Sequence, residues 1–441
     1  KASYLRCFFF TMEIQNLYTI FLNSNGVSTD TRTLKKGEIF FALKGPKFNG
    51  NDFAKIAIEK GAAFVIIDKL ITIEISPQII IVKNPLLSLQ ELANYHRKIL
   101  KTKIIAITGS NGKTTTKELI RKVISKKYNV LATEGNYNNH IGVPLTLLKL
   151  KKKHEIAVIE MGANHLKEIE FLCNITLPDW GYITNFGKAH LEGFGSEKGV
   201  IQGKSELYKH LEANKGQILI NGDDPVQVKQ TDQKKVVQFG SNHTNDYEIN
   251  PITKNEDLQL QFQGKIFKSS LHGNYNFTNI AASIAFGIIF KVPLTDIQIA
   301  VEGYQSENNR SQKLVIKGVR YILDAYNANP SSMEVAINAF ANDKSDSKIV
   351  ILGDMLELGK KSKEEHESIL ELCLKNKFSI IFTIGENFKE TSIESKKISK
   401  FENLEKFKKY FMTKKINYNS ALIKGSRSMK LERLISFFRR K

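Results

Sequence analysis

Short, wholly apolar runs alternate along this chain with longer stretches in which polar and apolar residues mix at helical spacing. Ile39-Phe40-Phe41-Ala42-Leu43, Phe64-Val65-Ile66-Ile67 and Ile79-Ile80-Ile81-Val82 carry no polar residue, the pattern of strands covered on both faces. Residues 12–98 therefore predict a small α/β domain. The runs Ile104–Thr108, Ile156-Ala157-Val158-Ile159 and Gly181-Tyr182-Ile183-Thr184 predict a parallel sheet with helical crossovers over residues 99–307. Two polar stretches in that region, Gly240-Ser241-Asn242-His243 and Thr253-Lys254-Asn255-Glu256, read as loops between antiparallel strands. The βα alternation restarts over 308–441 with Tyr321-Ile322-Leu323, Lys348–Gly353, Ile380–Gly385 and Ala421-Leu422-Ile423-Lys424. That pattern predicts a Rossmann-like, doubly wound domain whose functional loops lie beyond the carboxyl ends of its strands. The expected fold class is α/β in three domains: a small N-terminal α/β domain, a central mononucleotide-binding domain with a parallel sheet, and the C-terminal doubly wound one.

Composition narrows the class. The 441 residues, 41% hydrophobic and 25% charged, suit a globular chain of two to four domains. No apolar run approaches the roughly 20 residues of a membrane span, so no membrane insertion is expected. Cys7-Phe8-Phe9-Phe10 is too short for a signal-peptide core, and Met12-Glu13-Ile14-Gln15 opens a more typical sequence. Residues 1–11 thus read as an upstream extension without a functional role. The three cysteines, Cys7, Cys173 and Cys373, are far apart and odd in number, which favours reduced thiols and a cytoplasmic location. The net charge of +20 comes mostly from lysines spread along the chain and interleaved with glutamates, as in Lys360-Lys361-Ser362-Lys363-Glu364-Glu365. No basic run is paired with aromatics for base stacking, so no nucleic-acid partner is expected; anionic small molecules benefit from the field.

The chemistry concentrates after the Ile104–Thr108 run. Thr108-Gly109-Ser110-Asn111-Gly112-Lys113-Thr114-Thr115-Thr116 has the order strand, Gly-rich turn, helix. There, backbone N–H groups converge on an anion at a helix N-terminus. Lys113 adds charge at the outer phosphates and the Thr114 hydroxyl suits Mg²⁺. The chain departs from the general phosphate-loop pattern at Ile107, where the first glycine is usual. Glu160, at the end of the Ile156–Ile159 run, is placed for a Mg²⁺ that bridges phosphates, although alone it reads as an ordinary strand-end acid. The amide-rich segment Thr133–Pro144, with Asn136, Asn138 and Asn139, offers bonds to phosphate oxygens or peptide groups; by itself it reads as an Asn-rich turn. His190, in Asn185-Phe186-Gly187-Lys188-Ala189-His190-Leu191-Glu192, offers an imidazole to a second metal ion, or is structural.

The short phosphate loop resembles that of the Mur ligases and their folylpolyglutamate synthetase relatives, which join an acid to an amine at the expense of ATP. Glu160-Met161-Gly162-Ala163-Asn164, Asn185–Glu192 and Asp324-Ala325-Tyr326-Asn327-Ala328-Asn329-Pro330-Ser331-Ser332-Met333 are similar to the D-alanyl-D-alanine-adding branch of that family. The similarity runs in order from about Ser28 to Arg427. Diamino-acid-adding relatives carry an Asp-Asn-Pro-Arg motif in the third domain, and this chain has none.

The resemblance implies three substrates: ATP, a UDP-N-acetylmuramoyl-tripeptide and D-alanyl-D-alanine, acting through an acyl phosphate in peptidoglycan precursor synthesis, on a monomer. It assigns residues 12–98 to the UDP-sugar, 99–307 to ATP and 308–441 to the incoming dipeptide. It places Gly109, Ser110, Asn111, Gly112, Lys113, Thr114 and Thr115 at the ATP phosphates, and Thr114, Glu160, His190 and Lys204 at Mg²⁺, with Lys204 matching a carbamylated lysine. Lys113, Lys204 and His190 are the implied catalytic set. Asn276 and Asn279 fall beside the adenine, Arg310 towards phosphate and Asp324 towards ribose; a salt bridge between those last two is the plain structural alternative. Ser28, Thr29, Asp30, Arg32, Lys44 and Gly45 match UDP-sugar segments, while Asn136, Asn138, Asn139, Tyr326 and Asn327 are further substrate contacts. Asn49-Gly50-Asn51 departs from the family's Asp-Gly-His. Lys424-Gly425-Ser426-Arg427 fits a late loop near the incoming amine. The competing readings are a family member that adds another amino acid, of the diamino-acid or folylpolyglutamate type, and a basic phosphate-loop ATPase that remodels RNA.

Overall fold

A computed structural model of the protein describes residues 12–69, 77–232, 234–254, 257–271, 273–306 and 309–440. The expectation for residues 1–11 lies outside these. The chain forms two compact units: one takes in residues up to 106 with 128–162 and 168–179, the other 107–127, 163–167 and 180–441. Among the described residues no helix is long and apolar enough to cross a membrane.

In the first unit Val27–Ser28, Ile39–Phe41, Phe64–Ile67 and Ile79–Ile81 pair in that order as an all-parallel sheet. Phe40, Val65 and Ile67 pack against Ala54, Ala57 and Ala62, and the small alanines let the helix Ala54–Glu59 lie close on the strands. Asn84 caps the helix Pro85–Leu100 by accepting from the Leu86 and Leu87 amides, with proline at its first position. Val130–Ala132 and Ile156–Glu160 form a further parallel pair in this unit.

The strand Lys103–Thr108 begins in the first unit; its last two residues and the glycine-rich loop belong to the second. There Trp180–Ile183, Gln217–Asn221, Val236–Gly240 and Tyr247–Glu248 follow one another in parallel. This corrects the expectation for Gly240–His243, which joins parallel rather than antiparallel strands. The Asp223 carboxylate accepts from the Ser241 and Asn242 amides, the Ser241 hydroxyl and the Asn245 side chain. The loop is thereby pinned, and the chain re-enters at the sheet edge in the same direction. The other expected loop does join antiparallel strands, Asn250–Lys254 and Asp257–Phe262, although Asn255 and Glu256 lie outside the described residues.

The last part of the second unit is a six-stranded sheet. Gln312–Ile316 and Val319–Asp324 make an antiparallel hairpin turning at Gly318, φ +81°. Val319–Asp324, Ser420–Lys424, Lys348–Gly353, Ile380–Ile384 and Ile398–Phe401 then run parallel in that spatial order. Apolar layers cover both faces, Phe382, Phe407 and Leu434 on one side and Met333, Ile337 and Phe340 on the other. Because the last strand inserts between the first two parallel ones, the loops after Asp324, Gly353 and Lys424 emerge side by side. A break of this kind in strand order opens a crevice at the carboxyl ends.

Candidate active site

The glycine-rich loop is built by close backbone approach. Gly109 has φ +139° and a Cβ there would sit 2.0 Å from Thr184 Oγ1; Gly112 has φ +78° and a Cβ would meet Asn279 Oδ1 at 2.5 Å. Both conformations and both contacts exclude a side chain. Asn185 reads the loop twice, its Oδ1 accepting from the Asn111 amide at 3.1 Å and its Nδ2 donating to Asn111 O at 3.1 Å. Ser110 Oγ donates to Gly187 O at 2.7 Å. The Lys113 ammonium bonds the loop's own carbonyls, Gly109 O at 2.6 Å and Ser110 O at 3.3 Å. The lysine is half-buried on the loop. Thr114 opens the helix Lys113–Ile124 partly exposed, while Thr115 is buried. Asn279 and Asn276, expected beside the base, also brace the helix: Asn279 Oδ1 accepts from Thr116 Oγ1 at 2.9 Å and its Nδ2 donates to Asn276 Oδ1 at 2.9 Å.

The loops of the six-stranded sheet meet the phosphate loop. Asn329 Nδ2 donates to Asn111 Oδ1 at 2.9 Å, and the Ser331 hydroxyl accepts from the Lys188 amide at 2.7 Å. Asn329 also caps the helix Pro330–Ala341 in a reciprocal box with Ser332. Beside them lies a cavity of about 210 Å³ lined by His190, Asn327, Asn329, Glu357, Ser426 and Arg427, among others. Asp324 is ion-paired with Lys424 Nζ at 2.5 Å and accepts from the Ser311 amide at 3.2 Å. Its salt-bridge partner is Lys424 and not Arg310. Arg310 instead stacks its guanidinium on the Tyr326 ring, 3.7 Å from the centroid, with Arg427 5.8 Å from the same centroid. Tyr275, next to Asn276, shares a hydrogen bond of 2.6 Å with Ser311 Oγ; burial, then the Asp324 charge, pushes its phenol up. Asn327 places its carbonyl 3.0 Å from Lys424 Nζ.

His190 is in the left-handed region at φ +52°, and its Nδ1 pairs with the Glu357 carboxylate, itself at φ +62°. That bond, and more weakly His165, holds Glu357 below the usual carboxylate range despite partial burial. Sequence reasoning missed Glu357 and His165; the acid in Asp354-Met355-Leu356-Glu357, just past a strand's carboxyl end, was the available signal. Lys204 ends the helix Glu197–Lys204 only 1% exposed, its Nζ 3.2 Å from Ala163 O and 5.2 Å from the Phe194 ring centroid.

In the first unit, Glu160 is 2% exposed; its amide donates to Thr133 Oγ1 at 3.0 Å and its Oε1 accepts from Asn138 Nδ2 at 2.8 Å. Asn139 caps the turn into the helix Gly142–Leu147, accepting from the Gly142 amide at 2.9 Å, and Asn136 is exposed. Ser28 Oγ donates to Asp30 O at 3.1 Å, Thr29 is half-buried, and Arg32 folds onto Asp30 at 2.7 Å, which lowers the Asp30 carboxyl. Lys44-Gly45 pairs with Phe48-Asn49. Lys44 Nζ reaches Asp68 at 2.6 Å, and the buried Asn51 binds the same carboxylate at 2.7 Å. Asn49-Gly50-Asn51 is thus a local brace around Asp68. Among the described residues no group of three or more His, Cys, Asp or Glu side chains is placed to hold a metal.

Three family models match in order along the chain: "Mur ligase family, catalytic domain" over residues 23–103, "Mur ligase middle domain" over 107–287 and "Mur ligase, glutamate ligase domain" over 309–420. The UDP-N-acetylmuramoyl-tripeptide–D-alanyl-D-alanine ligase of Bacillus subtilis (strain 168) is 34% identical, covering 93% of this chain and 92% of its own. The ligase of that name from Buchnera aphidicola (subspecies Baizongia pistaciae) is 35% identical over 95% and 93%. Among solved structures, MurF from Acinetobacter baumannii superposes with a TM-score of 0.84 at 30% identity, covering 94% of this chain and 93% of that one. MurF ligase from Thermotoga maritima, in complex with ADP, gives 0.82 at 28%, over 95% and 98%. With family domains matched in order between residues 23 and 420 and relatives above 30% identity across nearly all of it, this chain belongs to the Mur ligase family.

Proposed function

We propose that this chain is an ATP-dependent ligase that joins D-alanyl-D-alanine to a UDP-N-acetylmuramoyl-tripeptide in peptidoglycan precursor synthesis. The observation that carries the reading is the similarity to enzymes of that name across nearly the whole chain, 34% identity over 93% of it in one case. The phosphate loop supplies the chemistry. A terminal carboxylate oxygen of the tripeptide attacks the γ-phosphorus of ATP, the bond to ADP breaks, and an acyl phosphate forms. The dipeptide amine then attacks the acyl carbon, phosphate leaves with the C–O electron pair, and the amine's proton passes to solvent. Loop N–H groups and Lys113 meet the phosphate charge, a task that preorganised donors do without reorganising. Arg310 and Asp324 are assigned to phosphate and ribose, Asn276 and Asn279 to the adenine side. The late loop around Arg427, with Tyr326 and Asn327, is assigned to the dipeptide.

We assign magnesium to the Thr114 hydroxyl, the Glu160 carboxylate and a carbamylated Lys204, oxygen donors of the hard kind that the ion takes, together with the His190 imidazole. Burial of Glu160 and Lys204, at 2% and 1% exposed, supports roles in which counter-charge rather than bulk water meets their heads. Magnesium, when bound, offsets charge that gathers on the phosphates. Residues 12–98 are assigned to the UDP-sugar, 99–307 to ATP and 308–441 to the dipeptide, in a cytoplasmic monomer.

Mixing the purified protein with ATP, Mg²⁺, the UDP-tripeptide and D-alanyl-D-alanine tests this. Phosphate release that requires both organic substrates supports the ligase; release stimulated by RNA and indifferent to the dipeptide overturns it.

A further inference from the structure

The pairing of His190 with Glu357 has no counterpart among the roles assigned above. Nδ1 of His190 faces the Glu357 carboxylate, and Glu357 O accepts from the Glu192 amide at 3.3 Å, two residues beyond the imidazole. The loop that carries Glu357 is itself anchored. Asp354 accepts from the Asn387 and Phe388 amides at 3.0 Å each, the Met355 amide donates to His366 Nε2 at 3.0 Å, and the Leu356 amide donates to Ser426 Oγ at 3.2 Å. Both paired residues hold left-handed backbone, at φ +52° and +62°, a conformation that surrounding contacts must impose on non-glycine residues. A carboxylate against one ring nitrogen keeps the proton there and leaves the lone pair on the other.

We infer that Glu357 is a positioning residue for His190: it fixes the Nδ1–H tautomer and ring orientation, so that Nε2 is presented to a divalent cation. The inference rests on the assignment of His190 to the metal side of the site. It also makes that presentation depend on the six-stranded domain, since Glu357 rides on the loop after the strand Lys348–Gly353. Removing the carboxylate frees the ring, and the His190 loop loses the contact that orients it.

Imidazole ¹⁵N spectra of the metal-free protein, with His190 assigned by comparison with His190→Gln, read the tautomer directly. The wild type and Glu357→Gln, whose amide oxygen still accepts from Nδ1–H, are expected to show protonated Nδ1. Glu357→Ala, checked for an unchanged melting transition, is expected to show a mixture. Mn²⁺ binding in the presence of ADP is expected to weaken about tenfold to hundredfold in Glu357→Ala, at least as much in His190→Gln, and little in Glu357→Gln. An unchanged tautomer in Glu357→Ala, with His190→Gln still weakening Mn²⁺, overturns the positioning role alone. Full Mn²⁺ affinity in His190→Gln overturns the metal assignment and the inference with it.

Discussion

Asn329 spends its side chain twice, its Oδ1 accepting from the Ser332 amide at 2.9 Å and its Nδ2 donating to Asn111 Oδ1 at 2.9 Å. One residue therefore starts a helix and ties that helix to the phosphate loop. The two roles separate by substitution. Asn329→Asp keeps the capping acceptor but sets a carboxylate against a carbonyl oxygen, so stability should hold while ATP affinity falls about tenfold, roughly 1.4 kcal/mol. Asn329→Ala should lose about 1 kcal/mol of stability as well. Urea denaturation and calorimetry with a non-hydrolysable ATP analogue check the pair.

Asp324 meets a lysine that is itself 2% exposed. Lys424→Met leaves the carboxylate without its counter-ion, a loss of about 3 kcal/mol by analogy with broken buried pairs. Asp324→Asn should cost stability in the same way and also weaken ATP binding, without changing affinity for the UDP-tripeptide. Titrating each ligand separately against the variant checks this; lost UDP-tripeptide affinity with normal ATP binding would reverse the domain assignment.

Lys204→Ala should lower kcat at least a hundredfold, the scale on which a single preorganised charged group acts. Short carboxylic acids should restore part of the activity if a carbamate normally fills that buried space. Activity assays with and without added acetate or propionate check it.

His366 predicts a pH dependence. Met355 N–H donates to its Nε2 and its Nδ1 lies 2.6 Å from Ser362 O, so Nδ1 carries the only proton. Burial holds its pKa below 6.5, against the smaller opposing pull of the Ser362 carbonyl, Asp354 and Glu365. His96 is lowered too, again chiefly by burial. Both are neutral in the folded and unfolded states above pH 6.5, where stability is complete. As pH falls through that value the unfolded chain takes up protons that the folded one refuses, so stability drops until the folded pKa values are reached. Denaturation midpoints at pH 7.5 and 5.5 should show the loss, and His366→Gln should reduce the slope.

The strands that place the site are readable from the sequence because their centres, Ile349–Leu352 and Ala421–Ile423, are wholly apolar: Lys348–Gly353 lies within a residue of its expected limits, as does Ser420–Lys424. The phosphate loop is readable because its glycines, lysine and threonine are adjacent in sequence. What escapes is pairing across distance. Glu357 lies 167 residues from His190, and Lys424 lies 100 from Asp324. No local pattern specifies which strand inserts between two others, and that insertion brings Asp324 and Lys424 into register. The parallel edge strand Tyr247–Glu248 escapes for a different reason. A six-residue polar loop normally turns a hairpin, and here the Asp223 carboxylate, distant in sequence, holds Ser241, Asn242 and Asn245 while Asp246 accepts from the Gln238 amide.

The proposed reaction turns on phosphorylation of the tripeptide's carboxylate before the amine attacks. Supplying UDP-N-acetylmuramoyl-tripeptide labelled with ¹⁸O in its terminal carboxylate, with ATP and D-alanyl-D-alanine, tests it in one mass-spectrometric measurement of the released phosphate. One ¹⁸O is expected in the phosphate for each amide formed from fully labelled carboxylate. Unlabelled phosphate released alongside the amide would contradict it.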